Sequence, residues 1–204
     1  MLKLYDMERS GNCYKARLTL SLLGLEYSKQ TVDLSKKEQL EPWFLAINPL
    51  HHVPVLDDNG TIVRDSGAIL VYLAVKHDAA RAWYPTDAKS MAETQQWLAY
   101  ANNEILNTLA TARAIAIGLR PGNLAESQEK ARGTLAHLEA NLKGRNWLAT
   151  DRPTISDIAC YPYAALVKQA EISHDAYPAI AAWCKRIEGL KGYLALPAHP
   201  AVKA

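Results

Sequence analysis

The 204-residue sequence predicts an α/β half followed by an all-α half. Three observations carry this expectation. The stretch up to Asp78 patterns as β-α-β followed by β-β-α. An Asn59-Gly60 pair sits between two short apolar runs, which marks a tight antiparallel hairpin because both residues tolerate positive φ. Beyond Lys76 the strand pattern disappears and apolar residues recur at helical spacing.

Leu2 to Asp6 alternates as a first strand. After a polar break from Glu8 to Asn12, a helix runs to Leu23 and is ended by Gly24, the residue type favoured just past a helix C-terminus. Leu25 to Asp33 reads as a second strand, followed by a polar, lysine-rich helix or loop to about Ala46. Val53-Pro54 opens a third strand, and Thr61-Ile62-Val63 returns as its partner. The chain then breaks at Asp65-Ser66 into a helical pattern from Gly67 to Ala74. A parallel pair joined by a helix, then a hairpin, makes a mixed sheet of about four strands. Residues 1–78 form this half, residues 79–87 with Pro85 a linker, and residues 88–204 the helical half.

In the helical half, Leu98, Ala101, Ile105, Leu109 and Ala112 fall on one stripe, and Ala131, Leu135, Leu138 and Leu142 on another. Pro121-Gly122 separates the two long helices. Thr154 to Asp157 has the form of a capping box, with Asp where Glu or Gln is commoner. The run from Ile158 to Leu166 is apolar nearly all round, which marks a buried helix, with Pro162 in its first turns. Pro178 starts a last helix through Trp183 and Ile187, giving a bundle of about five.

The 23 basic and 21 acidic side chains leave a net charge of +2 without a Lys/Arg run, so no nucleic-acid partner is expected. The apolar stretches are far too short to span a membrane, and Met1 leads directly into a strand rather than a leader. Cys13, Cys160 and Cys184 are too widely spaced for a disulfide framework or a metal site. A cytoplasmic protein without a metal is the expectation.

The densest chemistry lies at Asp65-Ser66. A serine before an apolar run is by itself an ordinary helix cap. A hydroxyl and free backbone N–H groups at a helix start, with a carboxylate beside them, also make a receptor for an α-amino acid head group.

Ser10-Gly11-Asn12 after the first strand, Asn48-Pro49 with Val53-Pro54, Asp65-Ser66, Thr154 to Asp157, and Tyr177-Pro178 with Trp183 follow one another along the whole chain. In this set the chain resembles the cytosolic glutathione transferases, of a bacterial type with a Ser/Asn-containing active-site loop. The resemblance implies a thioredoxin-like first domain, a helical second domain, glutathione as co-substrate and a homodimer. It implies that Pro54 is a cis-proline and that the Val53 backbone pairs with the cysteinyl part of glutathione like an added strand. Ser66 and its helix N-terminus would hold the γ-glutamyl carboxylate, with Asp65 near the amino group. His51, with His52 as its neighbour, would lie at the glycyl end.

Ser10 and Asn12 are then the candidates that hold the sulfur as its reactive thiolate. A hydrogen bond to a charged group contributes about 1.5–3 kcal/mol, and a helix terminus about 0.3–1 kcal/mol. Lowering a thiol pKa by two units needs roughly 2.7 kcal/mol, so these groups suffice without a buried cation. The electrophile would lie between the two halves, near Met7, Trp97, Tyr100, Asn103, Leu106 and Arg113.

The reaction stays open at this point. Transfer to a small electrophile is the first expectation. Glutathione-dependent reduction of a disulfide or peroxide is the second, because the Ser-x-Asn pattern resembles bacterial classes of that activity. Lys15 fits the same comparison, although a lysine in the first helical turns is ordinarily solvated. Isomerisation of the zeta-class kind is disfavoured by Gly11, which stands where a second serine would be. A non-catalytic binding module is the rival of another class. Cys13 falls one residue past the position of a reactive cysteine in one bacterial class, about 100° around the helix. It reads as a small buried residue, and Tyr5 as core.

Overall fold

The computed structural model describes residues 1–197, so residues 198–204 of the expected helical half lie outside the described residues. Apolar residues at alternate positions build the sheet first. Leu2, Leu4 and Leu56 bury one face against Ala16, Leu20, Ile69 and Leu73, while Tyr5 and Val55 bury the other with Val32 and Phe44. The strands β1 (Leu2–Asp6), β2 (Tyr27–Thr31), β3 (Val55–Asp58) and β4 (Thr61–Arg64) lie in the order β2-β1-β3-β4. The β1–β2 pair is parallel and the other two pairs are antiparallel, with Leu4 opposite Leu56. The β3–β4 turn has Asn59 at φ 52° and Gly60 at φ 92°, the doubly positive geometry that the Asn-Gly pair predicts.

Helix α1 (Gly11–Leu22) crosses over between β1 and β2. The expected lysine-rich helix or loop is two short 3₁₀ turns and a single α-helical turn, α2 (Pro42–Leu45), whose Phe44 plugs the sheet. The Val53–Pro54 peptide is cis. Helix α3 (Ser66–His77) is capped by Asp65, whose carboxylate accepts from the Ala68 N–H. Ser66 is therefore the first helical residue rather than the cap, and it is buried.

Helix α4 (Ala88–Tyr100) runs without a break into a π-helical stretch, Ala101–Ala110, and on into α5 (Thr111–Ala116). Helices α6 (Leu124–Leu142), α7 (Ile155–Ala165) and α8 (Pro178–Glu188) complete the bundle. Among the described residues no helix is long and apolar enough to cross a membrane.

Helix α7 is buried at every position from Ile155 to Ala164, so it must be fastened by internal contacts. The Thr154 capping box forms as the sequence predicts. The Asp157 carboxylate does more than cap. It accepts from the Thr154 N–H at 2.9 Å, the Leu148 N–H at 3.0 Å and the Trp183 indole N–H at 2.9 Å, joining the preceding loop, α7 and α8.

The large core contains α4 to α8 but also Tyr14 and Leu18 of α1 and Leu70 and Ala74 of α3. The helices that cover the sheet on one side thus pack against the bundle on the other. Asp157→Ala strands three buried donors and is expected to lower unfolding free energy by on the order of 3 kcal/mol in urea titrations. Thr154→Ala, losing a cap, should cost about 1 kcal/mol.

Candidate functional site

The site forms where β1 hands over to α1. Arg17, buried on α1, reaches back and donates to both carboxylate oxygens of Asp6 at 2.7 Å and to the Glu8 carbonyl at 2.6 Å. This clamps the chain on either side of Met7, where the turn to Ser10 begins. The turn closes with the Ser10 N–H on the Met7 carbonyl at 2.9 Å. Ser10 then caps α1, its Oγ accepting from the Cys13 N–H at 3.2 Å. Accepting that bond leaves the hydroxyl hydrogen free to donate elsewhere. Two residues on, Asn12 is half-buried, and its Oδ1 is a buried acceptor without a partner among the described residues.

A second wall comes from the loop before β3. Asn48 shapes it by donating from Nδ2 to the His52 carbonyl at 2.8 Å and accepting the Leu50 N–H at 3.1 Å. His51 sits at φ 47° within this turn. A third wall is the head of α3, where Asp65 adopts φ 74°.

These three walls enclose a cavity of about 610 Å³. Ser10 and Asn12 line it from the first wall, His51, His52, Val53 and Pro54 from the second, and Asp65 and Ser66 from the third. Each of these eight residues is thus on one cavity. Arg64, which donates to the Ile47 carbonyl at 2.8 Å, also lines it. No motif marks an arginine at the end of a strand, so the sequence offered no signal for it.

The six positions weighed for an electrophile pocket scatter. Leu106, on the π-helical stretch, lines the cavity. Tyr100 turns to α6 instead, donating to the Thr134 carbonyl at 3.1 Å and stacking on His137. Trp97 is core. Asn103 is exposed and bonds to Glu104 and Asn107. Met7 lies in the first loop, its N–H on the Cys13 sulfur at 3.3 Å. Arg113 is buried behind the loop, donating to Gln169 Oε1 at 2.7 Å and to the Arg9 carbonyl at 3.5 Å. A separate apolar cavity of about 640 Å³ lies between α3 and α4, with Val71, Val75, Leu98 and Ala99 in its walls.

Behind the first wall the packing is tight. A Cβ on Gly11 would lie 2.6 Å from Tyr163 Cζ, so a side chain has no room there. This gives a steric reason for glycine where a second serine would otherwise be expected. Cys13 is fully buried, and desolvation pushes its thiol up to about 12, which keeps it protonated and inert.

Lys15 differs most from expectation. It is not solvated but only 1 % exposed. Its Nζ lies 5.6 Å from the centre of the Tyr163 ring, and it forms no ion pair among the described residues. Desolvation brings its pKa down from 10.5 to about 8.

This depression has a sign. The unfolded chain holds the proton up to 10.5 and the folded chain only to about 8, so stability rises as pH climbs between those values. Below that window the buried charge is present and opposes folding by on the order of 3 kcal/mol. Lys15→Met is expected to raise the melting temperature at about pH 7, with the advantage shrinking towards about pH 10, as read by scanning calorimetry.

Residues 4–81 match the family model of the glutathione S-transferase N-terminal domain, and residues 121–186 that of the glutathione S-transferase C-terminal domain. Glutathione S-transferase D7 of Anopheles gambiae is 28% identical over 183 residues, which cover 90% of this chain and 84% of that protein. The crystal structure of a possible glutathione S-transferase from Rhodopseudomonas palustris is 32% identical, covers 100% of this chain and 93% of its own, and superposes with a TM-score of 0.88. A glutathione transferase homologue from Drosophila mojavensis, solved with bound glutathione, is 28% identical over 93% of this chain and 88% of its own, with a TM-score of 0.85. On its fold, its matched domains and these relatives, the chain belongs to the glutathione S-transferase family.

Proposed function

We propose that this chain binds glutathione in the cavity at the head of α1 and transfers its thiolate sulfur to a small electrophile. The observation that supports the proposal is the meeting of Ser10, Asn12, Val53, cis-Pro54, Asp65 and Ser66 on one cavity wall system. Each group has work suited to its chemistry. Ser66 and the first N–H groups of α3 receive the γ-glutamyl carboxylate, and Asp65 receives its amine. The Val53 backbone pairs with the cysteinyl unit. His51, His52 and Arg64 sit on the side that would meet the glycyl carboxylate.

The Ser10 hydroxyl donates to the sulfur anion, and Asn12 and the start of α1 add further donors and a positive dipole end. The thiol proton leaves to solvent. The thiolate then attacks an electrophilic carbon, forming a carbon–sulfur bond as the leaving group departs with its electrons. Leu106 is the electrophile-side candidate that lines the same cavity. In this scheme residues 1–78 bind glutathione, and residues 88–204 supply the far side of the pocket. The apolar cavity between α3 and α4, with Val75 exposed beside it, suits a homodimer contact. Three free, buried cysteines suit a reducing cytoplasm.

Glutathione-dependent disulfide reduction is the second reading, favoured by the Ser10-Gly11-Asn12 pattern. There the thiolate attacks one substrate sulfur, breaking the S–S bond and expelling the other half as a thiolate. A second glutathione thiolate then attacks the glutathione sulfur of the mixed disulfide, giving glutathione disulfide and releasing the second substrate thiol. A nitroaryl halide and a small dialkyl disulfide, assayed side by side, distinguish the two, and failure of both points to a binding module. Ser10→Ala is expected to lower kcat/KM for conjugation about ten- to a hundredfold near neutral pH, with the deficit closing as pH approaches the free thiol range of about 8.5. Unchanged rates would remove Ser10 from the mechanism.

A further inference from the structure

Two cations lie buried behind the loop that carries Ser10 and Asn12, and neither has a carboxylate partner at ion-pair distance among the described residues. Lys15 follows Asn12 by three positions on α1, so the two side chains leave the helix on one face. Its ammonium rests over the Tyr163 ring at 5.6 Å from the centre. Arg113 is 6 % exposed and bonds only to neutral oxygens, of Gln169 and Arg9. Tyr163 is wedged between these cations and the loop, its ring against Gly11 and its hydroxyl towards the backbone N–H of Asn12.

The titratable groups that face Lys15 are Cys160 and Tyr163 of α7 and Asp65 at the head of α3. Burial raises the Cys160 thiol far above its ordinary range and the Tyr163 phenol to about 12, so neither is an anion near neutral pH. The remaining acid, Asp65, lines the cavity itself. Lys15 keeps its proton near neutral pH, since burial brings it only to about 8. An unpaired buried ammonium opposes folding, and such groups gather where a site needs a fixed charge. An anion bound in front of the loop would recover part of that free energy.

We propose that Lys15 is a positioning residue whose buried ammonium supplies the fixed counter-charge for the anionic sulfur of glutathione held at Ser10 and Asn12. The proposal rests on the glutathione reading above. Lys15 does not touch the sulfur; it acts through the field behind Tyr163 and the first turn of α1, where solvent screens little. The donors at the loop then share the stabilisation of the thiolate with a cation that no surface view of the site would include.

The test is the thiolate absorbance of bound glutathione titrated against pH in wild type, Lys15→Met and Lys15→Arg. Affinity for S-methylglutathione, which has no ionisable thiol, serves as the control for peptide binding. The expected result for Lys15→Met is a bound-thiol pKa about one unit higher, which is roughly a tenfold loss of thiolate fraction at pH below both pKa values. S-methylglutathione affinity should stay within about threefold of wild type, well below a tenfold effect. Lys15→Arg, which keeps the charge, should keep the lowered pKa. Lys15→Gln takes the place of the methionine variant if that variant does not fold. An unchanged bound-thiol pKa in the neutral variant overturns the proposal. So does a folded arginine variant that behaves like the neutral one, or an equal loss of affinity for both ligands, which marks a structural role. A wild type that binds neither ligand overturns the glutathione reading itself, and the proposal with it.

Discussion

Helix α1 has no free face, and the rest of the site depends on that. Every residue from Cys13 to Leu20 is buried. Ala16 and Leu20 pack on the sheet, while Tyr14 and Leu18 pack into the helical core beside α7. A helix held on both sides cannot slide, so its N-terminus opens at one place. The buried Asp6–Arg17 pair then sets how the chain enters that helix, with the Glu8 carbonyl as a second acceptor for the same guanidinium. Removing either partner would leave the other buried charge with only a longer ion pair, Asp6 to Lys29 at 3.9 Å or Arg17 to Glu8 at 3.8 Å. Ser10 is thereby placed by the core of the fold rather than by a mobile loop.

The same confinement explains the division of chemical labour. The protein's own cysteines are all buried, and desolvation raises each thiol, so none is available as a nucleophile near neutral pH. The cavity itself presents hydroxyl, amide, imidazole, guanidinium and carboxylate groups on three separate walls.

Much of the fold was legible because its signals are local. Asn59-Gly60 closes a hairpin wherever it joins two apolar runs, and Thr154 to Asp157 caps a helix through bonds within four residues. The eight cavity residues from Ser10 to Ser66 named from the sequence were legible because each lies in a short motif, whereas Arg64 lies in none. What escaped depends on tertiary packing. The cap of α3 falls on Asp65 rather than Ser66, a choice between neighbours that spacing cannot make. Lys15 looked solvated because its burial comes from α7, more than a hundred residues away in sequence. The stripe Leu98, Ala101, Ile105, Leu109 and Ala112 is buried as its spacing predicts, but spacing did not say which flanking residues meet which neighbour: Tyr100 meets α6 and Leu106 the cavity.

A crystal structure of the protein with glutathione would decide where the sulfur sits. The expected result is the sulfur within hydrogen-bonding distance of Ser10 Oγ, the cysteinyl backbone paired with Val53, and the γ-glutamyl carboxylate at Ser66 and the head of α3. Glutathione seated in the apolar cavity between α3 and α4, or bound at the head of α1 with its sulfur turned away from Ser10 and Asn12, would contradict it.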